Sequence, residues 1–315
     1  MRNILFYALT VLIWGSTWIA ITFQLGDVDP MVSVALRFTL AALMLLTFCV
    51  LARINLKFSL KAHLAMAVQG FFLFALNYWC FYRCELFIPS GLAAVLFSTI
   101  VLMNVVNAAL FLKNRVDMQV IWAGVLGLCG IVLVFRPELQ AFHLSDKGFV
   151  GVLLCLAGTW LASIGNILSA RNQKKGLPIL QTNAFGMAYG GLFMLFLSLV
   201  LGKNLMPPLT FSYLGALGYL ALFGSIVAFG CYLSLVGSIG PERAAYATLL
   251  FPIVALFFST FFEGYQWTLS AACGVVLILG GNFLMMRRKK PESAETPASL
   301  SPSLPETAVL EKQAA

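Results

Sequence analysis

The sequence predicts an all-α integral membrane protein: ten transmembrane helices, built as two inverted five-helix repeats, with both termini cytoplasmic. Three observations carry that reading. Continuous apolar runs fill the chain, which is 61% hydrophobic and only 10% charged, whereas a soluble domain carries about 25% charge. The chain echoes itself at a spacing of about 150 residues. Its basic residues cluster in alternate loops, the pattern that orients a protein in a bilayer. A transmembrane β-barrel would instead alternate apolar and polar residues in short segments.

Ten apolar segments follow one another, at roughly 3–23, 31–51, 63–83, 89–111, 118–135, 148–168, 179–201, 212–236, 243–262 and 267–286. Most approach the roughly 20 residues that a bilayer crossing takes. The first begins like a signal peptide, with Arg2 before an apolar run. It has no small-x-small cleavage site and runs on to Phe23, so it reads as an uncleaved span. Asp29-Pro30, Pro178, Pro207-Pro208 and Gly240-Pro241 punctuate the later segments as helix starts and stops. Residues 288–315 are rich in Pro, Ser, Ala and Glu and read as a disordered cytoplasmic tail.

The echo is clearest between Pro89–Val134 and Pro241–Leu284. Ala93-Ala94 fall on Ala244-Ala245, Lys113 on Glu263, and Gly124-Val125 on Gly274-Val275. With the N terminus inside, fourteen Lys and Arg lie in inner loops and four, Arg83, Arg136, Lys147 and Lys203, in outer ones. A repeat of five spans enters the membrane in opposite directions in its two copies, so matched loops should differ in charge. They do: Asp27 and Asp29 outside match Arg171, Lys174 and Lys175 inside, and Lys113 and Arg115 inside match Glu263 outside. The halves are therefore drawn as 1–140 and 141–287, with a binding site between them near the midplane, as inverted-repeat folds place it.

The net charge of +8 is an orientation signal and implies no nucleic-acid partner. Cys49, Cys129, Cys155, Cys231 and Cys273 lie inside spans, with Cys80 and Cys84 near the end of another, and read as small apolar residues. His63 and His143 are far apart, so neither a metal nor a cofactor is expected. Arg37 is the most informative residue, because a cation about 10 Å into a span, at ~1.5 Å per residue, is costly and functional by default. Pinning helices together is the favoured role, and contact with a substrate carboxylate the sharper one. No Asp or Glu falls deep in a span, which favours a passive or exchange mechanism over a proton-driven one. Trp14, Thr17, Asn77, Tyr78, Tyr82, Ser98, Trp160 and Tyr246 are the other candidate substrate contacts, with Trp14 and Trp160 taken as matching places in the two halves. Glu263 is the candidate for gating or coupling, against a solvated turn residue.

Trp14-Gly15-Ser16-Thr17-Trp18, Arg37-Phe38, Ser90-Gly91-Leu92-Ala93-Ala94-Val95-Leu96, Gly218-Tyr219-Leu220-Ala221-Leu222-Phe223-Gly224-Ser225 and Phe262-Glu263-Gly264-Tyr265 together resemble the EamA family of the drug/metabolite transporter superfamily. The resemblance spans both halves. It implies a secondary transporter of the bacterial inner membrane that exports amino acids or related small metabolites, with the lipid bilayer and a small-molecule substrate as its partners. Lys113-Asn114 stands where that family often has Gly-Glu, so no coupling carboxylate carries over to that position. A membrane-embedded enzyme and an uptake permease are the alternatives. The sequence has no HExxH, GxSxG or phosphate-cradling glycine loop to support the former.

Impermeant labelling of single-cysteine variants at Lys113 and Glu263 should report opposite faces of the membrane; labelling from one face would end the inverted-repeat reading.

Overall fold

The computed structural model describes residues 2–26, 28–88, 93, 96–113, 118–134, 136, 146–251, 253–254 and 267–286. Among them every regular element is helical. Six helices are long and apolar enough to cross a bilayer: α1 (Arg2–Thr22), α2 (Pro30–Leu51), α3 (Leu60–Cys84), α6 (Asp146–Lys174), α7 (Ile179–Val200) and α8 (Phe211–Ile239). Shorter apolar helices are α4 (Ile100–Leu112), α5 (Met118–Val134) and α10 (Leu269–Met286). Of the ninth apolar segment, the described part opens with a single helical turn, α9 (Pro241–Ala244), tightens into a 3₁₀ stretch over Ala245–Leu249 and is helical again at Phe251, Ile253 and Val254; the rest of 243–262 lies outside the described residues.

Local chemistry explains where the helices begin. The Asp29 carboxylate accepts the Met31 N–H at 2.9 Å, and Pro30 supplies a pre-set φ at the first helical position of α2. Ser59 caps α3 and Thr210 caps α8 in the same way, through the N–H groups of Ala62 and Tyr213. Gly176, Gly202 and Gly240 sit at positive φ after α6, α7 and α8, the left-handed step that ends a helix and that glycine makes without strain. The Asp29 carboxylate also meets Lys203 at 2.8 Å, tying the start of α2 to the α7–α8 connection. Burial works against ionised Asp29, but the Lys203 and Met31 donors outweigh it and hold its pKa below the usual value.

Two helices are not α-helical throughout. Phe71–Leu76 in α3 and Leu220–Val227 in α8 form π segments, wider turns that hold an extra residue and often mark functional sites. α6 has 29 residues and continues beyond its expected end, carrying Arg171 and Lys174 in its last turn. At ~1.5 Å per residue it exceeds the ~30 Å hydrocarbon core.

Packing relies on glycine, as expected where lipid tails compete with side chains for the helix surface. α7 lies along α2 and also against α3. There a Cβ on Gly70 would sit only 2.1 Å from the Gly186 carbonyl oxygen. Gly190 of α7 faces α3 as well, so the Gly186/Gly190 pair serves contact within the chain. α5 and α10 cross where Gly130 and Gly274 face each other's backbone. Large apolar side chains such as Leu43, Phe48, Leu51, Leu199, Val200 and Phe223 are left exposed, which suits a lipid-facing surface.

Gly70→Ala should therefore lower stability by about 1–3 kcal/mol through overpacking. Gly215→Ala, whose added methyl meets open space, should be close to neutral. Thermal melting of the two variants in detergent checks the contrast.

Candidate functional site: an aromatic cavity beside a buried arginine

Between the helices lies a cavity of about 60 Å³, lined by α1, α3, α4, α6 and α8 and by the segment following α8. It is smaller than the roughly 150 Å³ apolar cavity that holds a benzene ring. Trp14 stands edge-on to Phe229 at 4.8 Å and to Phe251 at 5.5 Å, and lies 4.9 Å from Tyr232. Phe81 and Phe97 form a further edge-on pair at 5.3 Å, the geometry that aromatic quadrupoles favour. The polar members of the wall are Thr17, Asn77, Asn166 and Thr248, together with the Tyr232 hydroxyl and the Trp14 N–H.

These polar groups fall into two kinds. The Thr17 and Thr248 hydroxyls donate to their own helix backbone, at Trp14 and Ala245. Asn166 donates to the Tyr232 hydroxyl at 3.1 Å. The amide oxygens of Asn77 and Asn166, by contrast, are buried and have no hydrogen-bond partner among the described residues. An unpaired buried acceptor costs about 1–3 kcal/mol, so both oxygens are set to accept from a solute or from water.

The π segment of α8 organises what lies beside the cavity. The Trp14 Nε1–H donates to the Gly224 carbonyl at 3.0 Å. The Ser225 hydroxyl donates to the Leu220 carbonyl, five residues back, and accepts the Arg37 Nε–H at 3.0 Å. A side chain at position 224 would press on Thr17 and on the Arg37 guanidinium, so glycine is needed there for space. Arg37 is 1% exposed. A second N–H reaches the Tyr82 hydroxyl at 3.4 Å, and that hydroxyl donates to the Gln24 side chain at 2.8 Å. The guanidinium carbon lies 4.7 Å from the Tyr78 ring centre and 5.3 Å from that of Phe38, a stabilising placement for a desolvated cation. Two of the five guanidinium N–H groups thus have hydroxyl partners at 3.0 and 3.4 Å, and the Tyr78 side chain also meets the guanidinium.

The candidate contacts named from sequence divide accordingly. Trp14, Thr17, Asn77 and Tyr78 line the cavity. Arg37 and Tyr82 form the adjoining network, joined to the cavity through Tyr78. Ser98 is fully buried but is not in the wall. Tyr246 donates its hydroxyl to the Val120 carbonyl and packs with α4, α5 and α10. Trp160 does not face the cavity: it is 39% exposed on α6. Pairing it with Trp14 used a spacing of 146 residues, whereas the helix caps and π segments of the two halves match at about 150. Glu263 lies outside the described residues. Trp18, Asn166 and Tyr232, which stand out in the sequence as polar or aromatic residues inside apolar runs, also line the wall.

Glu85 lies one residue past α3, so no acid among the described residues falls deep in a span, yet both of its carboxylate oxygens are buried and without hydrogen-bond partners among the described residues, although its stem is partly exposed. Burial pushes its pKa up to about 8, with Arg37 pulling the other way.

Comparison with known proteins is consistent across both halves of the chain. The model of the EamA-like transporter family matches residues 1–136 and again 149–287. The uncharacterized inner membrane transporter YedA of Escherichia coli K12 is 30% identical over 284 residues, covering 87% of this chain and 89% of that one. The uncharacterized transporter YoaV of Bacillus subtilis strain 168 is 25% identical over 87% of this chain and 92% of its own. A probable amino-acid metabolite efflux pump of Salmonella typhimurium LT2 is 23% identical, with 88% and 92% covered. A crystal structure at 18% identity superposes with a TM-score of 0.73 over 90% of this chain and 95% of the other, which shows a shared fold.

Arg37→Ala should leave the Ser225 and Tyr82 hydroxyls short of a donor and destabilise the bundle by about 1–3 kcal/mol, with Arg37→Lys recovering part of the loss. Equal melting temperatures for both variants and the native protein would show that the charge pins nothing.

Proposed function

This chain belongs to the EamA-like transporter family, and from that premise we propose that it exports amino acids or related small metabolites by alternating access between two inverted five-helix halves. That it is a multi-pass transporter of the bacterial inner membrane follows from the family and from its apolar helices. The two separate family matches and the matched caps and π segments support halves at 1–140 and 141–287, with 288–315 as a tail beyond them.

The observation that carries the substrate class is the pair of unpaired amide oxygens, Asn77 from one half and Asn166 from the other, in an otherwise aromatic wall. Acceptors of that kind suit the ammonium or N–H groups of an amino acid or amine, and the rings suit an apolar side chain. The probable efflux pump among the relatives supports both the class and the direction. Arg37, with N–H groups to spare, is the candidate partner for a carboxylate.

Access supports an inward-facing form. At the Asp29 end, the Asp29–Lys203 pair and the Arg37 network join α1, α2, α3 and α8. At the opposite end, a cleft of about 370 Å³ opens between Leu112, Ala170, Gln173, Lys174, Val236 and Pro241. A cavity of about 60 Å³ must widen to admit an amino acid, which rocking of one half against the other provides.

Counterflow of a panel of labelled amino acids into proteoliposomes tests the reading. At least one should exchange, and Asn77→Leu or Asn166→Leu should lower its transport efficiency roughly tenfold, the equivalent of one lost hydrogen bond. No exchange with any amino acid would remove the substrate class.

A further inference from the structure

Glu85 and Arg37 are an unusual pair. Each charged head is buried, and no ion pair joins them. Arg37 is nonetheless the charge that bears on the Glu85 carboxyl from a neighbouring helix. Tyr82 and Cys84, on the carboxyl's own helix, also feel it, and α6 brings Cys155 up to Cys84. The nearby Arg83 is directed elsewhere: its guanidinium lies over the Phe87 ring at 5.7 Å and its charge bears on Asp29. A carboxylate with no donor in such surroundings is strongly disfavoured as an ion, whereas the neutral acid is tolerated.

We propose that Glu85 is a proton-binding site, and that loss of its proton draws Arg37 away from Ser225 and so unlocks the π segment of α8. With the proton in place, Glu85 offers no full charge, and Arg37 holds the Ser225 hydroxyl and the Tyr82 hydroxyl. When the carboxyl O–H bond breaks, the proton leaves to solvent and the carboxylate remains. The new anion needs donors, and Arg37 is the cation whose charge already bears on it. Its bond to Tyr82 is the longer of the two at 3.4 Å, and Tyr82 lies one helical turn before Glu85, so the guanidinium has a short path. Ser225 then loses its donor, and the Leu220–Val227 turn loses the contact that ties it to α2. The same displacement loosens one of the two ties that close the Asp29 end. Proton binding would thus favour the closed end and proton release its opening. The use of this titration in a transport cycle rests on the transporter reading; the titration itself does not.

The test uses the full-length protein in lipid nanodiscs, with pH as the only variable. Infrared difference spectra should show a protonated carboxyl band that disappears with a midpoint near 8, where an ordinary glutamate titrates near about 4.3. The band should be lost entirely in Glu85→Gln. Hydrogen exchange over Leu220–Val227, corrected for its intrinsic pH dependence, should quicken across the same range in the native protein and stay slow in Glu85→Gln, which mimics the protonated form. A band that survives in Glu85→Gln, or no band at all, overturns the proton site. Equal acceleration of exchange in both proteins overturns the link to α8. A failed amino-acid counterflow would leave these readings intact, so the two proposals fail separately.

Discussion

A guanidinium without water dictates much of this architecture. Arg37 is carried seven residues into an apolar helix, where its charge must be spread over donors' partners and aromatic faces or the helix cannot stay in place. The surrounding elements answer that demand from four directions. α8 contributes a hydroxyl on a widened turn, α3 a phenol and a ring, α1 the Gln24 amide behind that phenol, and α2 its own Phe38. The glycine at 224 leaves room for the charge, and the Trp14 indole takes up the carbonyl beside it. Ring packing around the cavity follows from these placements, because Trp14 and Tyr78 belong to both sets.

The cavity and the network meet at α8 but differ in what they leave undone. The network leaves donors over, the Gln24 side-chain amide and part of the Arg37 guanidinium, while the cavity leaves the Asn77 and Asn166 amide oxygens without partners among the described residues. The polar side chains of that wall come from both halves of the chain, Thr17 and Asn77 from one and Asn166, Tyr232 and Thr248 from the other.

Much of the fold could be read from the chain because the bilayer leaves few choices. Apolar runs of sufficient length must become helices, and Asp29-Pro30 and Gly240-Pro241 mark their boundaries by local chemistry. Arg37 announced itself as a cation inside such a run. The π segments were not legible, since Phe71–Leu76 and Leu220–Val227 look like any apolar stretch and no side chain encodes the wider turn. The 3₁₀ stretch over Ala245–Leu249 was hidden for the same reason. Trp160 was misplaced because residue identity was matched in place of the register set by caps and turns. Glu85 was missed because its position says loop. Its surroundings are set by packing, in which Phe87 and Ile88 press against Gly151 of α6.

The extra residue held in each wide turn has a consequence for sequence variation. One residue turns a helix by about 100°, so everything beyond the π segment of α8 is rotated relative to a plain helix of the same sequence. Phe229 and Tyr232 face the cavity only in that rotated frame. Deleting one residue from Leu220–Val227 and closing the turn to plain α geometry would keep that frame, whereas straightening the turn with all eight residues in place would swing both rings off the wall. The width of this turn is therefore matched to the number of residues it holds.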